Sequence, residues 1–249
     1  MESFYLDRPL VMAHRGAKDV APENTLAAFE AASALGADAI ELDVSRCATG
    51  EIIVIHDDTV DRTTDGVGRA DALSLDALRA LDAGSWFDER YAGERLPLLE
   101  EVLERMGHRL RFNIEIKGRS LGSDGIEAEI AAMLAQRGLL AEAIISSFNP
   151  AALWRMRRAA PGLARALLYA GDMPLPLRRA WGRYFVAPQA LHPHHSMVDA
   201  AYMAWARRKG YRVNVWTVNE PADIRRMAAL GVDAIITDHV AETRRLLGL

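Results

Sequence analysis

Residues 39–57 read AIELDVSRCATGEIIVIHD, and how this stretch lies decides the fold. Period two puts Ile40, Leu42 and Val44 on one face of a strand and Glu41 with Asp43 on the other. Two carboxylates on one strand face must meet water, a cation or a site, because an unpaired buried charge is costly. Thr49-Gly50 has turn character, and Ile52–His56 is a second apolar run that starts too soon for a helical crossover, which takes roughly a dozen residues. The two runs are therefore expected as an antiparallel hairpin. With Thr49 and Gly50 as a two-residue loop, position 56 falls opposite position 43, and His56 stands beside Asp43.

Upstream, Leu10-Val11-Met12-Ala13 reads as a buried strand with His14 at its C-terminal end, followed by Arg15 and Gly16. Pro22 suits the first turn of a helix and Glu23 its dipole, with Leu26–Ala32 continuing it until Gly36. Downstream, RFNIEIK at 111–117 repeats the alternation: Phe112, Ile114 and Ile116 share one face, Asn113, Glu115 and Lys117 the other. Two acid-bearing strands roughly seventy residues apart are poorly explained as independent edges and well explained as the polar mouth of a barrel.

The rest of the chain keeps that rhythm. Helices are expected near 126–137, 150–159, 197–208, 221–230 and 240–247, and strands near 143–148, 165–169, 190–191, 211–218 and 232–237. Counted with the hairpin, nine strands alternate with about eight helices, which gives a (β/α)8 TIM-type barrel with one antiparallel hairpin strand. A doubly wound open sheet is the alternative, but no Gly-x-Gly-x-x-Gly follows the first strand. Residues 58–97 lose periodicity, apart from a short helix near 74–81 and the aromatics Trp86, Phe87 and Tyr91. They are expected as a small insertion above the barrel, a cap anchored by those rings, within a single domain spanning 1–249.

With 249 residues, half of them hydrophobic and 26% charged, the chain can bury a large core. A formal charge of −4 and a pI near 6.0, with no dense Lys/Arg run, exclude a general nucleic-acid binder and stable membrane association. Arg178-Arg179, Arg207-Arg208-Lys209 and Arg244-Arg245 read as solvated helix faces. The single cysteine, Cys47, excludes an internal disulfide and fits a reducing compartment. Glu2, Asp7 and Arg8 are unlike a secretory leader, and no apolar run approaches the roughly 18 residues of a membrane span, so a cytoplasmic protein is expected.

Glu41, Asp43 and Glu115 are hard oxygen donors, and their convergence would suit Mg2+ or Ca2+ better than zinc. His14 and His56 are the residue type that both takes and gives a proton near neutral pH, a pair fit for general base and general acid. Arg15 offers a planar fork for phosphate oxygens, Lys117 a point charge, and Gly16 lets backbone approach a ligand. Trp216 lies on the strand face opposite Val213 and Val215 and could floor a pocket, plain core packing being the alternative. His192, His194 and His195 sit in a Pro-containing loop and are weaker metal candidates, with His192 alone placed to reach the pocket. Met197, Met203 and Met227 read as core residues of helix faces.

Taken together, His14-Arg15-Gly16, Pro22-Glu23-Asn24-Thr25, Glu41-x-Asp43, His56-Asp57, Arg62-Thr63-Thr64 to Gly68, Asn113–Lys117, Ser146-Ser147-Phe148, Val215–Asn219 and Gly231–Asp238 resemble the glycerophosphodiester phosphodiesterase family, in family order and over nearly the whole chain. The match looks most like the bacterial cytosolic type. The resemblance implies a phospholipase-C-like phosphodiesterase barrel and a divalent cation on Glu41, Asp43 and Glu115. It also implies His14 and His56 as the acid–base pair, and Arg15 with Lys117 on the phosphate. The expected reaction is hydrolysis of a small-molecule glycerophosphodiester to sn-glycerol 3-phosphate and an alcohol. A related enzyme that cleaves lysophospholipids to a cyclic phosphate, and a phosphate-ligand binding protein without catalysis, are the alternatives. His239 stands where a proline commonly follows the family's Thr-Asp, a departure that touches only a helix start.

Overall fold

Strands β1 (Leu10–His14), β2 (Ala39–Arg46), β3 (Ile52–Val54), β4 (Arg111–Ile116), β5 (Ala143–Ser147), β6 (Ala164–Tyr169), β7 (Ala190–Pro193), β8 (Arg212–Val215) and β9 (Ala234–Thr237) form one sheet. Its order is β1-β9-β8-β7-β6-β5-β4-β2-β3, and a β1–β2 pairing closes it. Every pairing is parallel except that of β3, which lies antiparallel on β2 outside the closed ring. The result is a barrel of eight parallel strands with an extra strand outside it and helices between the strands. The coordinates are a computed structural model in which residues 4–118, 122 and 124–249 are described. Among these, no helix is long and apolar enough to cross a membrane.

Side-chain parity sorts the strands as expected. Ile40, Leu42, Val44, Phe112, Ile114 and Ile116 face outward into a cluster with Leu99, Val102, Leu103 and Met106 of helix Leu99–Met106. Glu41, Asp43, Asn113 and Glu115 are buried on the inner face, where Asp43 lies in register with Glu115 and Glu41 with Asn113. At the N-terminal ends of the strands, Ala39, Ala164, Ala166, Ala190 and Ala234 leave room in the interior for Phe4 and Tyr5, which plug the base. The Tyr5 hydroxyl accepts from Asn214 Nδ2 at 3.0 Å. Arg8 closes the same end with a two-pronged pair to Asp38, 2.7 Å at each prong, and Asp38 also accepts from Val11 N at 2.9 Å.

Two local expectations change. The hairpin loop has three residues, Ala48 to Gly50: Cys47 N donates to Glu51 O, and Gly50 takes φ +108°. Val44 therefore pairs with Val54, and Ile55 N bonds Asp43 O, so position 43 faces 55 and not 56. One extra loop residue shifts the register by one, and His56 stands beyond the end of β3 instead of cross-strand from Asp43. The first helix starts later than Pro22, spanning Leu26–Ala34 with Thr25 as its cap; Thr25 Oγ1 accepts from Ala28 N at 3.2 Å. Asn24, at φ +56°, breaks the helix before that point, so Glu23 belongs to a loop.

Residues 58–97 pack Val60, Ala70, Leu78, Ala83 and Leu96 against Cys47, Ile53 and Ile55 of the hairpin. The apolar anchors are these aliphatic residues; of the three rings expected to anchor the stretch, Trp86 is exposed and edge-on to Phe87 at 5.8 Å, while the Tyr91 hydroxyl donates to Val20 O at 2.7 Å. None of the described side chains of this stretch lines the cavity at the barrel mouth.

Candidate active site

At the C-terminal ends of the strands a cavity of about 110 Å³ opens. It is lined by His14, Arg15, Glu41, Asp43, His56, Glu115, Lys117 and Trp216, together with Asn113, Phe148, Leu168, Thr217 and Ile236. All eight residues singled out in the sequence thus meet at one place.

The floor is acidic. One carboxylate oxygen from each of Glu41, Asp43 and Glu115 lies within 4.8 Å of the others, and all three residues are buried. Burial and the charges of Asp43 and Glu115 push the Glu41 carboxyl well above its ordinary range. Burial, then Asp43, raises that of Glu115 to about 7. For Asp43 burial is outweighed by Lys117 and Arg15, which hold its carboxyl below the usual value. Lys117 Nζ lies 3.3 Å from Asp43 Oδ1 and 3.0 Å from Glu115 Oε1, Arg15 Nε is 3.4 Å from Asp43 Oδ2, and Asn24 Nδ2 donates to the same oxygen at 3.0 Å. Two carboxyls driven toward their protonated forms mark a cluster short of positive charge even with these cations beside it. Asn113 Oδ1, buried in the lining, has no hydrogen-bond partner among the described residues. An all-oxygen donor set of this kind fits a divalent cation.

His14 ends β1, in register with Glu41 on β2. Its Nδ1 is 2.7 Å from Asp238 Oδ1, which fixes the ring and leaves Nε2 4.0 Å from Glu41 Oε2. Asp238, just after β9, is itself held by Asn219 Nδ2 at 2.7 Å and Lys18 Nζ at 3.1 Å. His56 is held in the same manner, Nδ1 to Asp57 Oδ1 at 2.6 Å. Burial lowers both imidazoles, opposed by Asp238 at His14 and by Asp43 at His56, so both are neutral near pH 7 with Nδ1 as donor and Nε2 free to accept.

Behind these groups runs a chain of alternating charge. Asp57 Oδ2 accepts from Arg62 Nε at 2.6 Å, Arg62 grips Glu23 at 3.0 and 2.7 Å, and Glu23 Oε1 accepts from Arg15 at 2.9 Å. The backbone that carries Arg15 is in the left-handed region, φ +58°, as is Gly16 at +84°. Arg15 N donates to Glu41 O at 3.0 Å and Asn24 N to Arg15 O at 2.9 Å, so loop 15–24 folds back over the acidic cluster.

The weaker candidates separate from the site. His192 is fully buried with Nε2 2.8 Å from Asn214 Nδ2, burial pulling its imidazole down to about 3, and it does not line the cavity. His194 bonds Ser196, and His195 lies near Asp223 and Arg226 on the outside. Trp216 is in the wall, its Nε1 donating to His192 O at 2.7 Å and its ring edge-on to Phe148 at 5.4 Å. Asp238, Asn219 and Arg62 entered the sequence reading only as pieces of motifs, and Glu23 only as a motif member and helix-start residue. The signal for Asp238 was its place right after a strand end, the position from which His14 also works.

The sequence model of the glycerophosphoryl diester phosphodiesterase family matches residues 14–242. A glycerophosphodiester phosphodiesterase of Caldanaerobacter subterraneus subsp. tengcongensis is 40% identical over 93% of this chain and 94% of its own length. One from Bacillus subtilis is 33% identical over 94% and 84%. Among solved structures, an Oleispira antarctica phosphodiesterase in complex with the product sn-glycerol-3-phosphate is 30% identical and superposes with a TM-score of 0.87 over 100% of this chain and 99% of that one. A glycerophosphodiester phosphodiesterase of Agrobacterium tumefaciens, also 30% identical, gives 0.83 over 95% and 99%.

Proposed function

Since the chain belongs to the glycerophosphoryl diester phosphodiesterase family, we propose that its barrel mouth hydrolyses small glycerophosphodiesters to sn-glycerol 3-phosphate and an alcohol. The observation that carries this reading is the meeting of three buried carboxylates and two carboxylate-held imidazoles around one cavity. Glu41, Asp43 and Glu115 would hold a divalent cation, Mg2+ or Ca2+ by the hardness of the donors, with Asn113 Oδ1 as a further oxygen. Bound there, the cation supplies positive charge against the phosphoryl oxygens.

The chain's own groups do the rest. Arg15 and Lys117, already at the rim of the acidic cluster, neutralise the phosphate oxygens that build charge as the phosphorus becomes five-coordinate. A neutral imidazole accepts the nucleophile's proton at Nε2, while its Nδ1–H stays on its aspartate and shares the new charge. The second imidazole, once protonated, gives its Nε2 proton to the departing alkoxide. Phe148, Leu168 and Trp216 supply an apolar wall for the carbon part of the substrate.

The test is a panel of glycerophosphodiesters run on chelated protein with metals returned one at a time, the product followed by phosphorus NMR. Glycerol 3-phosphate release that needs a divalent cation is expected. A persistent cyclic phosphate would redirect the reading to the cyclising relatives, and no turnover with any cation would end it. His14→Ala and His56→Ala should each lower turnover at least about 100-fold. The variant lacking the general acid should recover most of its loss on a p-nitrophenyl diester, whose leaving group needs no proton.

A further inference from the structure

The outer wall between β5 and β7 carries a surface that the phosphodiesterase reading leaves unused. After β6 the chain forms two short helices, Leu175–Arg178 and Arg183–Val186, the second laid against helix Pro150–Ala159. Trp181 is 48% exposed, and Tyr184 and Phe185 are each 71% exposed, with Leu175 and Trp154 also open to solvent. Single exposed apolar residues are ordinary, but five large ones on packed neighbouring segments are not.

The charge around them is one-sided. Between Ala143 and Val198 stand seven arginines and a single acid, Asp172, in a chain that is acidic as a whole. Among the described residues Arg155 alone of the seven pairs with a carboxylate, Glu127. Arg157 instead donates to Phe185 O at 3.0 Å, Arg158 lies 5.0 Å from the Trp154 ring centre, and Arg183 lies 4.3 Å from that of Tyr184. Arg178 and Arg179 are exposed at the end of their helix. These contacts knit aromatic rings and unneutralised guanidinium groups into one patch. As a linear run Arg178-Arg179 reads as a solvated face; folding brings Arg183 onto it, Nη1 donating to Arg179 O at 2.6 Å, and Arg157 onto the same segment at Phe185 O.

We propose that this patch is a reversible docking surface for an anionic phospholipid membrane. Tryptophan and tyrosine settle at the headgroup level of a bilayer, and arginines without acidic partners complement its negative surface potential. The patch is also tied to the catalytic mouth. Pro150, which the Gly182 backbone packs against, lies two residues beyond Phe148, and the segment leaves β6 just after Leu168, both residues lining the cavity. Docking would therefore hold the barrel mouth near the layer from which lipid-derived diesters come.

The experiment is vesicle flotation of the whole chain with phosphatidylcholine alone and with roughly one third phosphatidylglycerol. Wild type should float at least about tenfold more with the anionic vesicles, an effect lost in high salt. Arg178→Glu/Arg179→Glu and Trp181→Ser/Tyr184→Ser/Phe185→Ser should each reduce flotation about tenfold while turnover of a water-soluble diester stays at the wild-type rate. Equal flotation on both vesicles, none at all, or no effect of the charge reversal would overturn the proposal. So would a stable dimer by light scattering that the aromatic triple variant converts to monomer, because the face would then be covered by a second copy.

Discussion

A single hydrogen atom decides Gly16. A Cβ there would sit 2.6 Å from Ala28 Cβ and 2.8 Å from its carbonyl carbon, with the backbone at φ +84°. Gly16→Ala should cost about 2–4 kcal/mol, because strain and overpacking add, and should displace Arg15 next to it; a melting temperature and KM like those of wild type would contradict this. Asp238 acts at the same scale through His14. In Asp238→Asn the amide oxygen stays on Asn219 Nδ2, so the amide nitrogen faces His14 Nδ1 and forces the tautomer whose Nε2 carries the proton, while the charge that steadies an imidazolium is lost. The expected outcome is a fall in kcat of about 100-fold with KM and melting temperature little changed; an unaltered kcat would remove Asp238 from the site. His14 was legible in the sequence because it ended an apolar run, whereas its partner lies 224 positions away and no local pattern connects them.

Among the elements, β2 and β4 were the most legible, since period two leaves a buried strand only one way to divide Glu41, Asp43 and Glu115 from their aliphatic neighbours. The hairpin was less so: a two-residue and a three-residue loop look alike around Thr49-Gly50, and the difference moves every cross-strand partner by one. The start of the first helix was misplaced because a proline and an acid satisfy helix-start rules, while the Thr25 cap and the left-handed Asn24 override them. The clamp between the Arg8 segment and the start of β2 gives a test at this scale. Burial would raise the Asp38 carboxyl, but the Arg8 fork and Val11 N–H more than offset it and hold it below the ordinary value. A depressed carboxylate adds stability that is present above its unfolded value near 3.9 and lost as pH falls through the folded one. Asp38→Asn should thus cost about 1.5–3 kcal/mol at pH 7, with the gap to wild type narrowing in thermal melts as pH falls beneath the ordinary carboxylate range.

Over the whole molecule, the acidic cluster works against folding until it is neutralised. Glu115 is raised to about 7 from an ordinary 4.5, by burial first and Asp43 second. A raised carboxyl favours the folded state fully below its unfolded value, and that advantage is lost as pH rises toward the folded one. The chelated protein should therefore lose melting temperature between about pH 4.5 and 7, and a saturating divalent cation should restore it, since binding only the folded state stabilises by mass action. A melting temperature independent of both pH and cation would show that the three carboxylates hold none. The plug at the barrel base had no signature in the sequence, two aromatics in a short polar lead-in, yet it bears on how the molecule is made. Phe4 and Tyr5 are synthesised long before the side chain that secures Tyr5, 209 residues later, and β1 needs β9 on its other flank. At roughly 5–20 residues per second, the opening segment waits on the order of ten to forty seconds for its seat. Nascent chains should accordingly stay open at this end, exposed to chaperones, until Asn214 and β9 have been made and have cleared the ribosome.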